Sequence, residues 1–98
     1  MQINFEWDPE KAQKNKVKHN ITFELAASIF NDPYALSIYD DEHSSLKEDR
    51  WVTLGVSKTG ALLVVVHTFE ELTKNINQIR IISARKATKN EIKQYQGK

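Results

Sequence analysis

Two arginines interrupt the stretch RIISARKA, Arg80 to Ala87. The stretch otherwise suits a strand, because Ile79, Ile81 and Ile82 are β-branched and fit a pleated, half-buried surface. A guanidinium keeps its charge, so Arg80 and Arg85 each need water, a carboxylate or a phosphate. A carboxylate partner such as Glu48 or Asp49 would make them structural ion pairs. A phosphate partner would make them part of a site, since the planar fork matches phosphate oxygens two at a time. In extended backbone Arg80 shares a face with Ile82 and Ala84 while Arg85 points the other way, so the two converge only if the chain bends near Ala84.

Other polar residues could join them. His67 closes an apolar run on the face shared by Leu63 and Val65, where a polar side chain needs a partner. Lys11, Lys14 and Lys18 recur at i, i+3 and i+7, a basic stripe that could follow a phosphate backbone and is more often a solvated helix face. His19 ends that stripe at a helix C-terminus, where a histidine is more often a cap than a catalyst. The histidines His19, His43 and His67 lack metal-ligand spacing, and there is no glycine-rich phosphate loop and no G-x-S-x-G elbow. No metal or cofactor is expected. What remains is acid–base work by His or Glu beside arginines. That set suits metal-free phosphodiester cleavage: a base takes the ribose 2′-OH proton, an acid protonates the leaving oxygen, and Arg stabilises the phosphorane.

Composition narrows the setting. The 98 residues are 40% hydrophobic and 28% charged, the profile of one globular domain over residues 1–98. Cysteine is absent, which removes disulfides and thiol chemistry and fits a reducing compartment. The longest apolar run, Ala61 to Val66, cannot cross a bilayer, and the start MQINFEWDPE lacks the basic and apolar parts of a signal peptide. A cytoplasmic protein without membrane contact is expected. The net charge of +1 divides into −4 for residues 1–50 and +5 for residues 51–98, so the basic half suggests an anionic partner.

The elements that must position these residues follow from caps and periodicity. Ile3 to Trp7 reads as a short strand. Asp8-Pro9-Glu10 opens a helix that runs to Lys18 or His19, with Asn20 as a left-handed cap. Thr22 caps a second helix through Asn31, stopped by Asp32-Pro33. Strands follow at Ala35–Tyr39, at Trp51–Ser57 with Val52, Leu54 and Val56 inward, at Leu62–Val66 in the centre, and at Gln78–Ala84. Asp40–Arg50 and Glu70–Asn77 read as loops. Thr88 and Glu91 form a capping box for a last helix. The order β-α-α-β-β-β-β-α argues for an α+β domain, an antiparallel sheet with two N-terminal helices and one C-terminal helix.

The stretches FEWDPEKAQKNKVKHNITFELAASIFNDP, DDEHSSLKEDRWVTLGVS, GALLVVVH and RIISARKATKNEIKQY together resemble the BrnT family of bacterial toxins from type II toxin–antitoxin systems. The combination of KH-x-I-x-FE-x-A with RIISARKAT is the most specific part. Asn20 stands where the family usually has Gly, and Phe69 to Gln78 is less typical. The resemblance implies a RelE-like fold and a ribonuclease that arrests translation. It also implies inhibition by a BrnA-like ribbon-helix-helix antitoxin, whose complex with the toxin binds operator DNA. Carried onto matching positions, the polar candidates are Lys18, His19, Glu48, Arg50, His67, Arg80 and Arg85. Of these, His19, Glu48, His67, Arg80 and Arg85 are the catalytic candidates, and Lys11, Lys14, Lys18 and Arg50 the RNA-binding ones. The competing expectation is a non-catalytic module that holds a DNA-binding partner, its arginines being ion pairs and its Asp40–Asp49 loop the contact surface.

Overall fold

Local chemistry sets the helix ends. The Asp8 side chain accepts from the Glu10 amide and Pro9 enters the first turn, so α1 runs Pro9–His19 and ends where Asn20 turns left-handed at φ 58°. Thr22 caps α2, Phe23–Ala27. The expected longer helix does not form: after Ala27 the chain tightens into a 3₁₀ turn over Ser28–Asn31. Here the Ser28 hydroxyl donates back to the Leu25 carbonyl, a local bond that competes with continued α-helix. The Thr88–Glu91 capping box opens α3, Lys89–Gln96.

The computed structural model describes residues 2–46 and 48–97. Its strands are β1 (Gln2–Glu6), β2 (Leu36–Tyr39), β3 (Arg50–Val56), β4 (Leu62–Thr68), β5 (Glu70–Thr73) and β6 (Ile76–Lys86). The sheet order is β1-β6-β4-β3-β2, with β5 also paired to β6. The β4 strand is central, as its apolar run implied. All pairings are antiparallel except β1 with β6. The segment expected as a loop from Glu70 instead forms β5, exposed along its length and carried by backbone pairing to Gln78, Asn77 and Ile76 rather than by burial.

The core lies between one sheet face and the first two helices, where Ile21, Phe23, Ala26 and Ile29 pack on Leu63, Val65, Ile79, Ile81 and Ala84. The inward face of β3 is the reverse of that expected. Thr53 and Gly55 point to this core beside their partners Val65 and Leu63, while Leu54 is buried with Val64 on the second face. Residue size explains the inversion: a Cβ on Gly55 would lie 3.1 Å from Ile29 Cβ and 3.3 Å from Ala35 Cβ, so the 3₁₀ turn approaches β3 only over a glycine. On the second face α3 packs against β3.

Two features of β6 bear on the site. Register with β4 slips between Val66, opposite Ser83, and His67, opposite Ile81, so one step on β4 spans two on β6. This bulge reverses the alternation. Ile79 and Ile81 face the core, and so does Ala84. Arg80 therefore does not share a face with Ala84; Arg80 and Arg85 both project away from the main core. Beyond Arg80, β6 has no β1 neighbour. There the buried Asn15 of α1 supplies the missing partner, its amide accepting from the Ala84 N–H at 3.0 Å and donating to the Ala84 carbonyl at 2.9 Å and the Ile21 carbonyl at 3.0 Å. One side chain thus satisfies a strand edge and fastens α1 to it.

Candidate functional site

Glu48 comes from the segment between β2 and β3, which is tied back on itself. The Ser44 hydroxyl donates to the Asp40 carbonyl and accepts from the Arg50 amide, and Ser45 and Glu48 form an isolated bridge. This turn carries Glu48 to the middle of β6. Arg50 Nε donates to Glu48 Oε1 at 3.1 Å, and an Arg80 terminal nitrogen to Glu48 Oε2 at 2.6 Å. The carboxylate thus lies between two guanidiniums. Arg50's hydrogen bond holds its pKa below the ordinary range; partial burial works against that shift and Arg80 adds to it. Glu48 is therefore ionised at neutral pH. Arg80 and Glu48 line a cleft of about 440 Å³ with Glu6, Leu46, Asp49, Thr68, Phe69 and Glu70. Among the described lining residues the cleft holds the Glu48 carboxylate and one guanidinium, that of Arg80, and the carboxylates of Glu6, Asp49 and Glu70 limit how much anion it attracts.

Arg85 is elsewhere. With a strand rise of ~3.3 Å per residue it stands roughly 16 Å from Arg80. It clamps Glu91 of α3 through two bonds of 2.8 and 2.9 Å. That grip pulls the Glu91 carboxyl down to about 2, with the capping bonds of Thr88 adding to it. Its effect is to bind α3 to the sheet. A second tie joins the Tyr95 hydroxyl to Asp32, which holds the phenol up to about 12, and Asp32 also accepts from the Val56 amide.

His67 stays on the core face, 3% exposed. Its Nδ1 lies 2.9 Å from the Thr68 carbonyl, which can only accept, so Nδ1 carries the proton. Nε2 is left to accept from the Thr53 hydroxyl at 2.7 Å, and Thr53 in turn accepts from Ser37 at 2.7 Å. Burial lowers its pKa and the Thr68 bond opposes this only in part, so the ring is neutral with a fixed tautomer. Phe30 meets it edge-on, centroids 4.8 Å apart.

The lysine stripe does assemble. Lys11, Lys14, Lys18 and His19 line a shallow groove of about 200 Å³ with Asn15, Ile82 and Ser83, where α1 meets the β6 bulge. Among the described residues no acidic side chain lines it. Among the sequence candidates, then, Glu48, Arg50 and Arg80 meet in one place, Lys11, Lys14, Lys18 and His19 in a second, and His67 and Arg85 stand apart from both. Among the described residues no cluster of His, Cys, Asp or Glu could hold a metal ion, and no helix is long and apolar enough to cross a membrane. Sequence reading missed Asn15, although a helical asparagine three residues from Ala12 and four from His19 was the available signal. It also missed Phe69 and the Ser37–Thr53–His67 chain, which only strand pairing joins.

A family model described as the ribonuclease toxin BrnT of type II toxin–antitoxin systems matches residues 7–91, a span that holds every candidate residue above. No curated protein matches the sequence. Among solved structures, the 1.1 Å crystal structure of the Brucella abortus ribonuclease toxin BrnT aligns with a TM-score of 0.56 and 21% identity, over 91% of this chain and 100% of that one. At that identity the likeness is one of fold.

Proposed function

Because the chain belongs to the BrnT family of ribonuclease toxins of type II toxin–antitoxin systems, we propose that it is a metal-independent endoribonuclease with its reaction centre at Glu48, Arg50 and Arg80. The observation that carries this reading is the ionised Glu48 carboxylate held by two guanidiniums, with Glu48 and Arg80 facing an open cleft. Glu48 takes the proton from a ribose 2′-OH. The 2′ oxygen bonds to phosphorus, the bond from phosphorus to the 5′ oxygen breaks, and that oxygen takes a proton from a solvent water, whose hydroxide takes the proton held by Glu48. Arg80 and Arg50 exchange part of their grip on Glu48 for the phosphorane oxygens as negative charge moves onto them. Lys11, Lys14, Lys18 and His19 hold the RNA backbone beyond the cleft. His67 keeps its surroundings in place rather than titrating, and Arg85 fixes α3.

In this reading a ribbon-helix-helix antitoxin of BrnA type covers the basic surface, silences the cleavage that arrests translation, and carries the complex to operator DNA. Co-expression with it restores growth and yields a purified complex.

The test is RNA cleavage by the purified protein with and without EDTA. Cleavage persists in EDTA and falls by about 10²-fold or more in Glu48→Gln, the scale of a lost general base. Loss on chelation with recovery on adding a divalent ion overturns the mechanism. One observation favours a second reading, a non-catalytic module that holds the DNA-binding partner: Arg80 and Arg85 already have carboxylate partners in the free chain. Under that reading induced expression is silent and the wild-type protein leaves RNA intact.

A further inference from the structure

Beside the charged cleft, on the core face, lies a different cavity of about 260 Å³ lined by Ser37, Trp51, His67 and Phe69. Its walls are aromatic, and Phe69 is 40% exposed. Trp51 is held from behind by Tyr39, ring centroids 5.2 Å apart and nearly perpendicular. His67 is pinned by Thr53, Thr68 and Phe30, so the slot has a rigid wall before anything enters it. Phe69 is also a wall of the Glu48–Arg80 cleft, because it occupies the break between β4 and β5 where the two cavities meet around the end of β4. Among the described residues, the polar groups of its lining are the Ser37 hydroxyl, bonded to Thr53, the Trp51 indole N–H, and the imidazole, whose ring nitrogens already have partners.

We propose that this slot takes an unpaired nucleobase of the RNA whose phosphate lies at Arg80, stacked against Phe69 and Trp51. The inference rests on the ribonuclease reading above and adds to it a base subsite. A base fits because its faces are apolar and its edge polar, which suits two aromatic walls that also offer an indole N–H and a serine oxygen. Continuity through Phe69 allows one strand to reach both cavities. An aliphatic or charged protein segment would leave either the aromatic faces or its own polar groups poorly matched. The slot gives the enzyme a requirement for single-stranded RNA, since a paired base cannot leave its stack to enter.

The test uses a short single-stranded oligonucleotide with 2′-O-methyl riboses, which cannot be cleaved by attack of the 2′ oxygen, and the same oligonucleotide with abasic positions. Binding is followed by fluorescence anisotropy. Removing the base at the bound position, or substituting Phe69→Leu, weakens binding about tenfold, and the two losses together are no larger than either alone, because both remove one contact. Ser37→Phe, which fills the slot from an exposed edge strand, has the same effect and guards against a Phe69 variant that folds poorly. Circular dichroism establishes that each variant is folded. Equal binding of intact and abasic oligonucleotides overturns the proposal, as do losses that add in full. Variants that keep RNA affinity and lose antitoxin affinity also overturn it, and assign the slot to the protein partner. A Glu48→Gln protein separates the two readings: the slot still binds the base when cleavage is abolished. If even the wild-type protein cleaves nothing while the base-dependent binding remains, the catalytic reading fails and the subsite stands.

Discussion

Replacing Arg80 by alanine separates structure from chemistry most sharply. An arginine buried in a strand would leave an uncompensated charge behind when its partner is cut away, at roughly 3–5 kcal/mol. The observed pair is not of that kind. The Arg80 side chain is 43% exposed and that of Glu48 30%, and Arg50 still holds Glu48 from the other side. Water and the second guanidinium therefore absorb most of the loss, and the pair belongs with surface ion pairs worth about 0.2–1 kcal/mol. In a domain of this size 1 kcal/mol corresponds to roughly 4–8 °C, so Arg80→Ala melts less than about 8 °C below wild type. Under the proposed mechanism cleavage is expected to fall much further, by about 10²-fold or more, because a preorganised donor to the phosphorane is gone. The pH profile adds a second readout. In the proposed mechanism Glu48 acts as its carboxylate, so activity is expected to rise as pH climbs through its depressed folded pKa and to be lost below it. Removing Arg80 lifts that acid limb toward the ordinary carboxylate range, short of it because Arg50 is the larger cause. The assays are a thermal melt and a pH series of RNA cleavage on the same preparation. A variant that melts far below wild type, or one that cleaves normally with an unmoved acid limb, refutes the assignment.

Three further substitutions test the frame that carries the cleft. Asn15→Ala leaves the Ala84 N–H and two carbonyls without their buried partner and is expected to lower stability by about 2–3 kcal/mol or more, read as a shift in the urea midpoint. Gly55→Ala forces the 3₁₀ turn outward by a few tenths of an ångström and costs about 1–3 kcal/mol; a variant as stable as wild type would show that Ile29 and Ala35 yield freely. The stability that Glu91 contributes is complete above its ordinary pKa of 4.5 and is lost as pH falls toward about 2, so Glu91→Gln destabilises the protein near neutrality and flattens the acid limb of its stability curve. Parallel acid curves for the two proteins would show that Arg85 and Glu91 do not hold α3 in solution.

Some of this protein is written in short-range chemistry and was legible before any coordinates. The Asp8-Pro9 start, the Asn20 stop and the Thr88–Glu91 box depend on backbone groups within four residues, so residue type decides them. The all-apolar run Leu62–Val66 implied a central strand, because only a strand covered on both faces tolerates it. The parity of β6 was beyond such reading. The bulge opposite Val66 and His67 is a property of two strands together, and it decides that Arg80 and Arg85 share a face. Likewise Arg80 and Glu48 are 32 residues apart, and Asn15 and Ala84 are 69 apart. Their pairing depends on how a self-bonded loop and a helix dock on one strand edge. Sequence named residue types that suit phosphodiester cleavage; the sheet's register set Glu48 between Arg50 and Arg80, put His67 on the opposite face and tied Arg85 to Glu91, because long-range contacts are fixed by packing rather than by spacing.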